Sequence, residues 1–513
     1  MISRYFRCEE LGIDWDICVF ADVPHLNKAI RNAFAGPVNK DPKLCTPEEL
    51  TKQKNHKLWI HEKYRVEANL PTNVIYREAI KKLIDHDAKN ELKLVPHLPK
   101  DTLQLGNFAK MRTETAEALL SHQTAAGLRF AMEYNPEEFP KEYETTAYFL
   151  EKVGKWYSLM YNRRAKMALS KLDPEKYDEM VNFLEWFMGF YSSMKLHENQ
   201  VYGLKPSQEG VILSTSSFQW IAENLIEEGY EYVLSGKMSQ NTLENLWSQY
   251  RHKIVTPTAL NFIRLTKPIC LGQFFTRPKG ASYEADQCDY LTSFKDVKKT
   301  EKTWKAILEV FEPEEDFDEE PLDEEIHKIV EEIENDPESE RDTAFMNKHF
   351  GVLAKEASLA YVGGYFIYAV ILKKEKPCKN CANAFSISHE SDNQIENKLV
   401  GLKEFKEGAL KRLSKVGNQM FKIAELIFNE RRDALKGKSD ITKKLSDEIV
   451  KEVCKAIAEI PKCHLKQIMQ RFITARIHWW LSQESAIEIE SHKDVIRNEA
   501  NSSRCQKQKN VVV

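Results

Sequence analysis

No apolar stretch of about 20 residues, the length a membrane-crossing helix needs, occurs anywhere in the 513 residues. The opening residues, MISRYFRCEELGIDWDICVF, also lack the apolar run of a secretion signal. The expectation is a soluble, intracellular protein with no membrane partner. Net charge is nearly absent as well: 74 Lys and Arg stand against 78 Asp and Glu, a balance of −4. Such a chain has no global attraction for nucleic acid or anionic lipid, so any DNA contact must come from local basic patches. Dense cysteine is missing too. The ten cysteines, at 8, 18, 45, 270, 288, 378, 381, 454, 463 and 505, form one close pair, which excludes a secreted disulfide scaffold and implies reduced thiols.

The length implies two to four domains. Residues 1–55 carry a short apolar run, WDICVFAD, that suits a buried strand turning into a helix through HLNKAIRNAF. A polar, Pro-containing stretch follows. From 56 to 210 the helical period dominates: VIYREAIKKLIDHD, MRTETAEALLSHQTAAGLRFAM and TAYFLEKVGKWYSLMYNRRAKMAL each place apolar residues at i, i+3, i+4 and i+7. Residues 211–300 return to mixed structure, with a strand-like GVIL ahead of an amphipathic helix. Residues 301–345 are strongly acidic and read as a linker. Residues 346–500 read as a helical C-terminal region, and 501–513 as a frayed tail.

Two constellations carry chemistry. In GKMSQNTLENLWSQY one carboxylate, Glu244, enters a helix whose Leu243, Leu246, Trp247 and Tyr250 share a face, with Glu244 at its side. The cysteine pair Cys378 and Cys381 has the C-x2-C spacing of a metal knuckle. That supplies half of a tetrahedral zinc site, with Cys463 and His464, His389 or His478 available for the rest. Basic clusters such as RLTKP, KRLSKVGNQMFK and RRDALKGK are candidate phosphate contacts.

Several segments, in order, resemble the P-element family of DNA transposases. DVPHLNKAIRN at 22–32 is similar to that family's Asp-Pro-Pro-His-Leu-Leu-Lys-Asn-x-Arg-Asn signature. NFAKMRTETAEALLSHQTAAGL resembles its Phe-x-Lys-Met-x-Val segment, and GVILSTSSFQWIAENL with GKMSQNTLENLW resembles the return from its inserted domain. TPTALNFIRL and YVGGYFIYAVILKKEKPCKNC follow in the expected order. The resemblance implies an α/β plus mostly α fold: a partial RNase H-like fold (1–55 and 211–300) interrupted by a helical GTP-binding-type insertion domain (56–210), then the helical C-terminal region. It also implies a nuclear protein that contacts DNA and forms homo-oligomers or mixed oligomers with related transposases.

What the resemblance implies about chemistry is mixed. Strand transfer on such a fold needs three carboxylates that hold two Mg²⁺ ions. Glu244 matches the third acid, while the family places the other two upstream of its PHL signature. That leaves Asp14, Asp16 or Asp22 as stand-ins, with Asp22 favoured because it ends the strand-like run; an Asp capping the following helix is the competing reading. For GTP, Lys110 and Arg112 are the phosphate candidates. Ser158 stands where the family has Asp, Tyr161 stands where it has Asn unless Asn162 slips into place, and Asn241 replaces the Asp that reads guanine. An amide offers one acceptor where a carboxylate offers two, so Asn241 weakens that reading. No THAP-type Cys and His finger precedes the core. The sequence therefore points to a truncated or domesticated transposase derivative without catalysis. An active Mg²⁺-dependent transposase and a nucleotide-binding or protein-interaction module are the alternatives.

Overall fold

The computed structural model describes residues 5–8, 13–36, 46–48, 51, 56–103, 112–197, 203–254, 256–275, 343–374, 376–389, 392, 394–406, 408–435 and 441–481. Lys110, most of the acidic stretch and the C-terminal tail lie outside these residues. The chain divides into two compact units, one of Met1–Asp85, His97–Met132 and Pro136–Ile307, the other of His86–Pro96, Glu133–Asn135 and Leu308–Val513.

In the first unit, β1 (Tyr5–Cys8) and β2 (Ile13–Cys18) pair antiparallel. The chain then runs to Asp22, which caps α1 (Val23–Ala35), with Pro24 in the first turn where its missing N–H costs nothing. Leu26, Ile30 and Phe34 form the buried stripe of α1. A second antiparallel pair joins β3 (Lys57–Trp59), followed by the short α2 (Glu62–Glu67), to β4 (Val74–Tyr76). The helix read through VIYREAIKKLIDHD therefore begins later, as α3 (Arg77–Asp87). β-Branched Val74 and Ile75 favour the extended backbone, and the Tyr76 N–H is taken by the Thr146 hydroxyl at 2.9 Å.

The single helix expected through MRTETAEALLSHQTAAGLRFAM is likewise two, α4 (Glu114–Leu119) and α5 (His122–Tyr134). Ser121 makes the break: its hydroxyl bonds the Ala118 carbonyl and accepts the Thr124 N–H, a local alternative to the helical ladder. Helix α6 (Glu144–Met160) packs on α7 (Pro174–Ser192) and stacks Trp156 on Phe187, ring centroids 5.3 Å apart.

The strand-like GVIL is not a strand. Residues Pro206–Glu227 form one helix, α8, which packs against α7 and α1. The apolar run is too short to outweigh the Pro start of the helix, and the buried hydroxyls of α8 have work in the helix. Ser214 bonds both the N–H and the carbonyl of Ala21, Ser217 bonds the Val19 carbonyl, and Thr215 accepts the Trp156 indole N–H. These side chains take the backbone groups that a neighbouring strand would have taken. A Cβ on Gly210 would sit 2.5 Å from Leu26, so glycine there permits the close approach of α1. The unit continues into α9 (Asn241–Lys253) and α10 (Ala259–Phe275).

The second unit is built on α11 (Thr343–Ile367), which runs into a π-helical turn, Tyr368–Leu372. Helix α12 (Lys379–Phe385), β5 (Ser386–Ile387), α13 (Lys398–Lys403), β6 (Arg412–Leu413), α14 (Lys415–Arg431), α15 (Ile441–Ala456) and α16 (465–481) follow. Phe366, Phe421, Phe428, Phe472 and Ile468 meet in its core. A Cβ on Gly364 would lie 2.1 Å from the Lys411 carbonyl, so the Gly-Gly of YVGGYF lets the segment entering β6 lie directly on α11. Buried Arg476 bridges Glu425 at 2.7 Å and Glu91 at 2.9 Å, and Arg432 also bonds Glu91.

Among the described residues the protein is mostly helical, and its strands make three two-stranded antiparallel sheets. The larger RNase H-like sheet implied by the resemblance is not seen there; residues 210–213, read as a strand-like run, belong to α8. No helix among the described residues is long and apolar enough to cross a membrane.

Candidate functional site

Asp22 is where two helix starts converge. One carboxylate oxygen accepts the N–H of His25 in the first turn of α1 at 3.2 Å, and the other accepts the N–H of Gln240, the residue that caps α9, at 2.9 Å. Both donors are groups that a helix leaves unpaired, and the partial positive charge at each start favours an anion there. Asp22 thus acts as a double cap. Its side chain is 5% exposed.

Glu244 lies in the first turn of α9, and its carboxylate meets the imidazole of His25 at 2.9 Å. The same His25 nitrogen stands 4.0 Å from Asp22. Lys28, one turn further along α1, is held below the ordinary lysine pKa by burial, with Glu244 and Asp22 pulling the other way. The fold has brought Asp22 and Glu244 onto one imidazole from more than two hundred residues apart in sequence. His25 and Lys28 were not singled out from the sequence, although the spacing D-x-x-H at the start of a helix puts both side chains of the first turn side by side.

Of the carboxylates considered for a two-metal centre, Asp22 and Glu244 meet at the His25 imidazole. Asp14 and Asp16 fall in β2, and their side chains lie outside the described residues. Among the described residues, Asp22, His25 and Glu244 do not form a set that closes around an ion. The set that does is Cys378, Cys381, Cys463 and His464.

The expected apolar face of α9 is only half covered. Tyr250 is buried, stacked on Phe262 of α10 at 4.6 Å and bonded to Thr266, whereas Leu243 is 53% and Trp247 37% exposed. Helix α10 covers the far end of that face and leaves its start open. Arg251, His252 and Lys253 at the end of α9, and Arg264 and Lys267 on α10, are exposed.

Of the residues matched to a guanine pocket, Tyr161 and Asn241 bond each other and Ser158 and Asn162 bond backbone nearby. Ser158 is exposed and bonds the Lys155 carbonyl of its own helix. Tyr161 stacks on Tyr157 at 5.3 Å, carries the Arg163 guanidinium over its ring, and takes the Asn241 amide N–H on its hydroxyl. Tyr157 bonds Glu117, and burial followed by that carboxylate pushes its phenol far above the usual range. Asn162 spans the turn below, accepting the Arg164 N–H and donating to the Arg164 carbonyl. Asn241 is buried with its Oδ1 unpaired among the described residues. Arg112 is exposed and its carbonyl accepts the Thr115 hydroxyl. Asn162 and Asn241 thus sit on adjoining segments, and an aromatic pair fills the space beside them.

In the second unit, four potential ligand atoms lie within 4.8 Å of one another. Cys381 Sγ is 3.0 Å from Cys463 Sγ and 3.5 Å from His464 Nδ1, and Cys378 Sγ is 3.7 Å from Cys463 Sγ. Cys378 and Cys381 flank the start of α12, and Cys463 and His464 form the turn before α16. The Cys381 N–H, then Cys463, pull the Cys378 thiol below its usual pKa, while burial pushes Cys381 up to about 12. Three sulfurs and an imidazole nitrogen are a donor set that can hold a metal such as zinc. His389 and His478 are not part of it.

No family model and no characterised protein sequence matches the chain. Among solved structures, the Drosophila P element transposase strand transfer complex is similar over 52% of this chain and 54% of that chain, with 19% identity and a TM-score of 0.40. The chain therefore spans about half the length of the structure it matches.

Proposed function

We propose that this chain is a P-element-like transposase derivative that keeps part of the scaffold and an interaction role in DNA transposition, without its own two-metal catalysis. The observation that carries the reading is the meeting of two motifs. DVPHLNKAIRN and GKMSQNTLENLW resemble successive parts of one family's core, and here Asp22 and His25 of the first contact Gln240 and Glu244 of the second. The reading of lost catalysis is supported by how these acids are employed. Each Asp22 oxygen accepts a backbone N–H and Glu244 faces an imidazole, so both acids have a structural employment that a cap and an ion pair explain without a metal. GTP is not part of the reading, because the Asn241 amide N–H is spent on the Tyr161 hydroxyl and an amide presents one acceptor where a carboxylate presents two.

DNA is the partner this reading assigns. The surface offered is the α9–α10 pair, where exposed Arg251, Lys253, Arg264 and Lys267 lie on the same two helices as exposed Trp247 and Leu243. Cations of this kind contact phosphate whatever the net charge of the chain. Fluorescence anisotropy of labelled duplex DNA with the full chain tests it. Binding should weaken steeply as salt rises, and replacing Arg264 and Lys267 with Gln should flatten the salt slope by about one to two. Affinity that ignores both salt and those replacements would overturn the DNA role.

A further inference from the structure

We propose that Cys378, Cys381, Cys463 and His464 form a structural zinc site that fastens the start of α12 to the turn before α16. The inference is independent of the transposase reading, since none of its residues belongs to the Asp22–Glu244 cluster.

Two of the distances among the four atoms are edges of a tetrahedral zinc site. With Zn–S near 2.3 Å and Zn–N near 2.0–2.1 Å, a tetrahedral site places sulfurs about 3.8 Å apart and sulfur and nitrogen about 3.6 Å apart. Cys378 to Cys463 at 3.7 Å and Cys381 to His464 at 3.5 Å match those edges. Cys381 to Cys463, at 3.0 Å, is the tight edge and is still far longer than the roughly 2.05 Å of a disulfide. A disulfide would join two of the sulfurs and leave the third thiol and the imidazole unexplained. Zinc uses all four.

The surroundings suit the charge. Three thiolates on Zn²⁺ leave a net charge of about −1, and Lys379 and Lys462, both exposed, adjoin the ligands in sequence. With all four positions filled by protein there is no open coordination site, which makes the centre structural and not catalytic. The two arms are 82 residues apart between Cys381 and Cys463. Helix α16, which the second arm leads into, carries Phe472 and Arg476 into the core, so a metal here fixes the entry of a core helix. Cys463 is exposed and Cys378 half-buried, leaving the ion within reach of a chelator.

The test is metal analysis of the full chain, purified under reducing conditions. Wild type should carry one zinc per chain; after chelation it should take up one cobalt with the intense visible bands of a tetrahedral thiolate site. Cys378→Ser and His464→Ala should lose most of the metal, while Cys454→Ser, which changes a thiol outside the cluster, should keep it. Amide hydrogen exchange in 376–385 and 460–465 should quicken on chelation and recover when zinc is restored. The cobalt titration uses the unaltered chain, so a variant that fails to fold does not decide the matter. Freshly reduced wild type that binds neither metal, a cobalt spectrum without thiolate bands, or undiminished zinc in Cys378→Ser would each overturn the proposal.

Discussion

Replacing Asp22 with Ala removes one carboxylate and two hydrogen bonds on different helices. Loss of an N-cap acceptor costs about 1 kcal/mol. Loss of a charged acceptor for the Gln240 N–H, at a side chain 5% exposed, costs about 1.5–3 kcal/mol. The junction of α1 with α9 should therefore lose about 3 kcal/mol, which corresponds to roughly a hundredfold increase in local opening. Asp22→Asn keeps one acceptor oxygen for two donors and should lose about half as much. Amide hydrogen exchange read by mass spectrometry reports this locally, without assuming that a two-unit chain unfolds in one step. The peptides covering His25 and Gln240 should exchange faster together, in the order wild type, Asp22→Asn, Asp22→Ala. Unchanged exchange at Gln240 in Asp22→Ala would show that the carboxylate is not a structural double cap.

Two further outcomes concern the second unit. Lys403 is buried, donates to the Leu94 carbonyl at 2.7 Å, lies under the Tyr361 ring and faces Asp87; burial depresses its pKa from 10.5 to about 7. Between about pH 7 and 10.5 the unfolded chain holds a proton that the folded chain releases. Stability should therefore rise across that window by up to about 1.4 kcal/mol per pH unit, and flatten below it. Lys403→Met should abolish the rise in denaturant titrations run at several pH values, and a rise of equal slope in the variant would refute the assignment. Glu425→Gln weakens one of the two carboxylate partners of fully buried Arg476, Glu91 remaining, and should cost about 1.5–3 kcal/mol in urea unfolding. The double change Glu425→Met with Arg476→Met should recover much of it, and a single replacement that costs nothing would contradict the buried pair.

Much of this was legible in periodicity and capping. Asp22 before Val-Pro at a helix start, and the apolar stripe of α1, are local signals that the structure reproduces. The errors arose where tertiary partners decide. GVIL has strand composition, yet Ser214 and Ser217 pair with the backbone at Val19 and Ala21, a contact about two hundred residues away that no window reveals. VIYREAIKKLIDHD begins as a strand because the Lys57–Trp59 segment pairs with it. The site was half visible. Glu244 stood out by its isolation in a polar, aromatic helix, whereas its partner His25 sits in another segment and looks like an ordinary first-turn residue. The cysteine pair announced a metal knuckle, and folding selected Cys463 and His464 from the open choices.

Asp22 caps two helix starts and Glu244 pairs with His25, and a DNA cleavage assay asks whether these acids also cut DNA. Full-length wild type and Glu244→Gln would be incubated with supercoiled plasmid in Mg²⁺ and separately in Mn²⁺, and nicked and linear products counted over time. The account predicts equal background in the two proteins with either metal. Metal-dependent nicking by wild type that disappears in Glu244→Gln would contradict it and return Glu244 to catalysis.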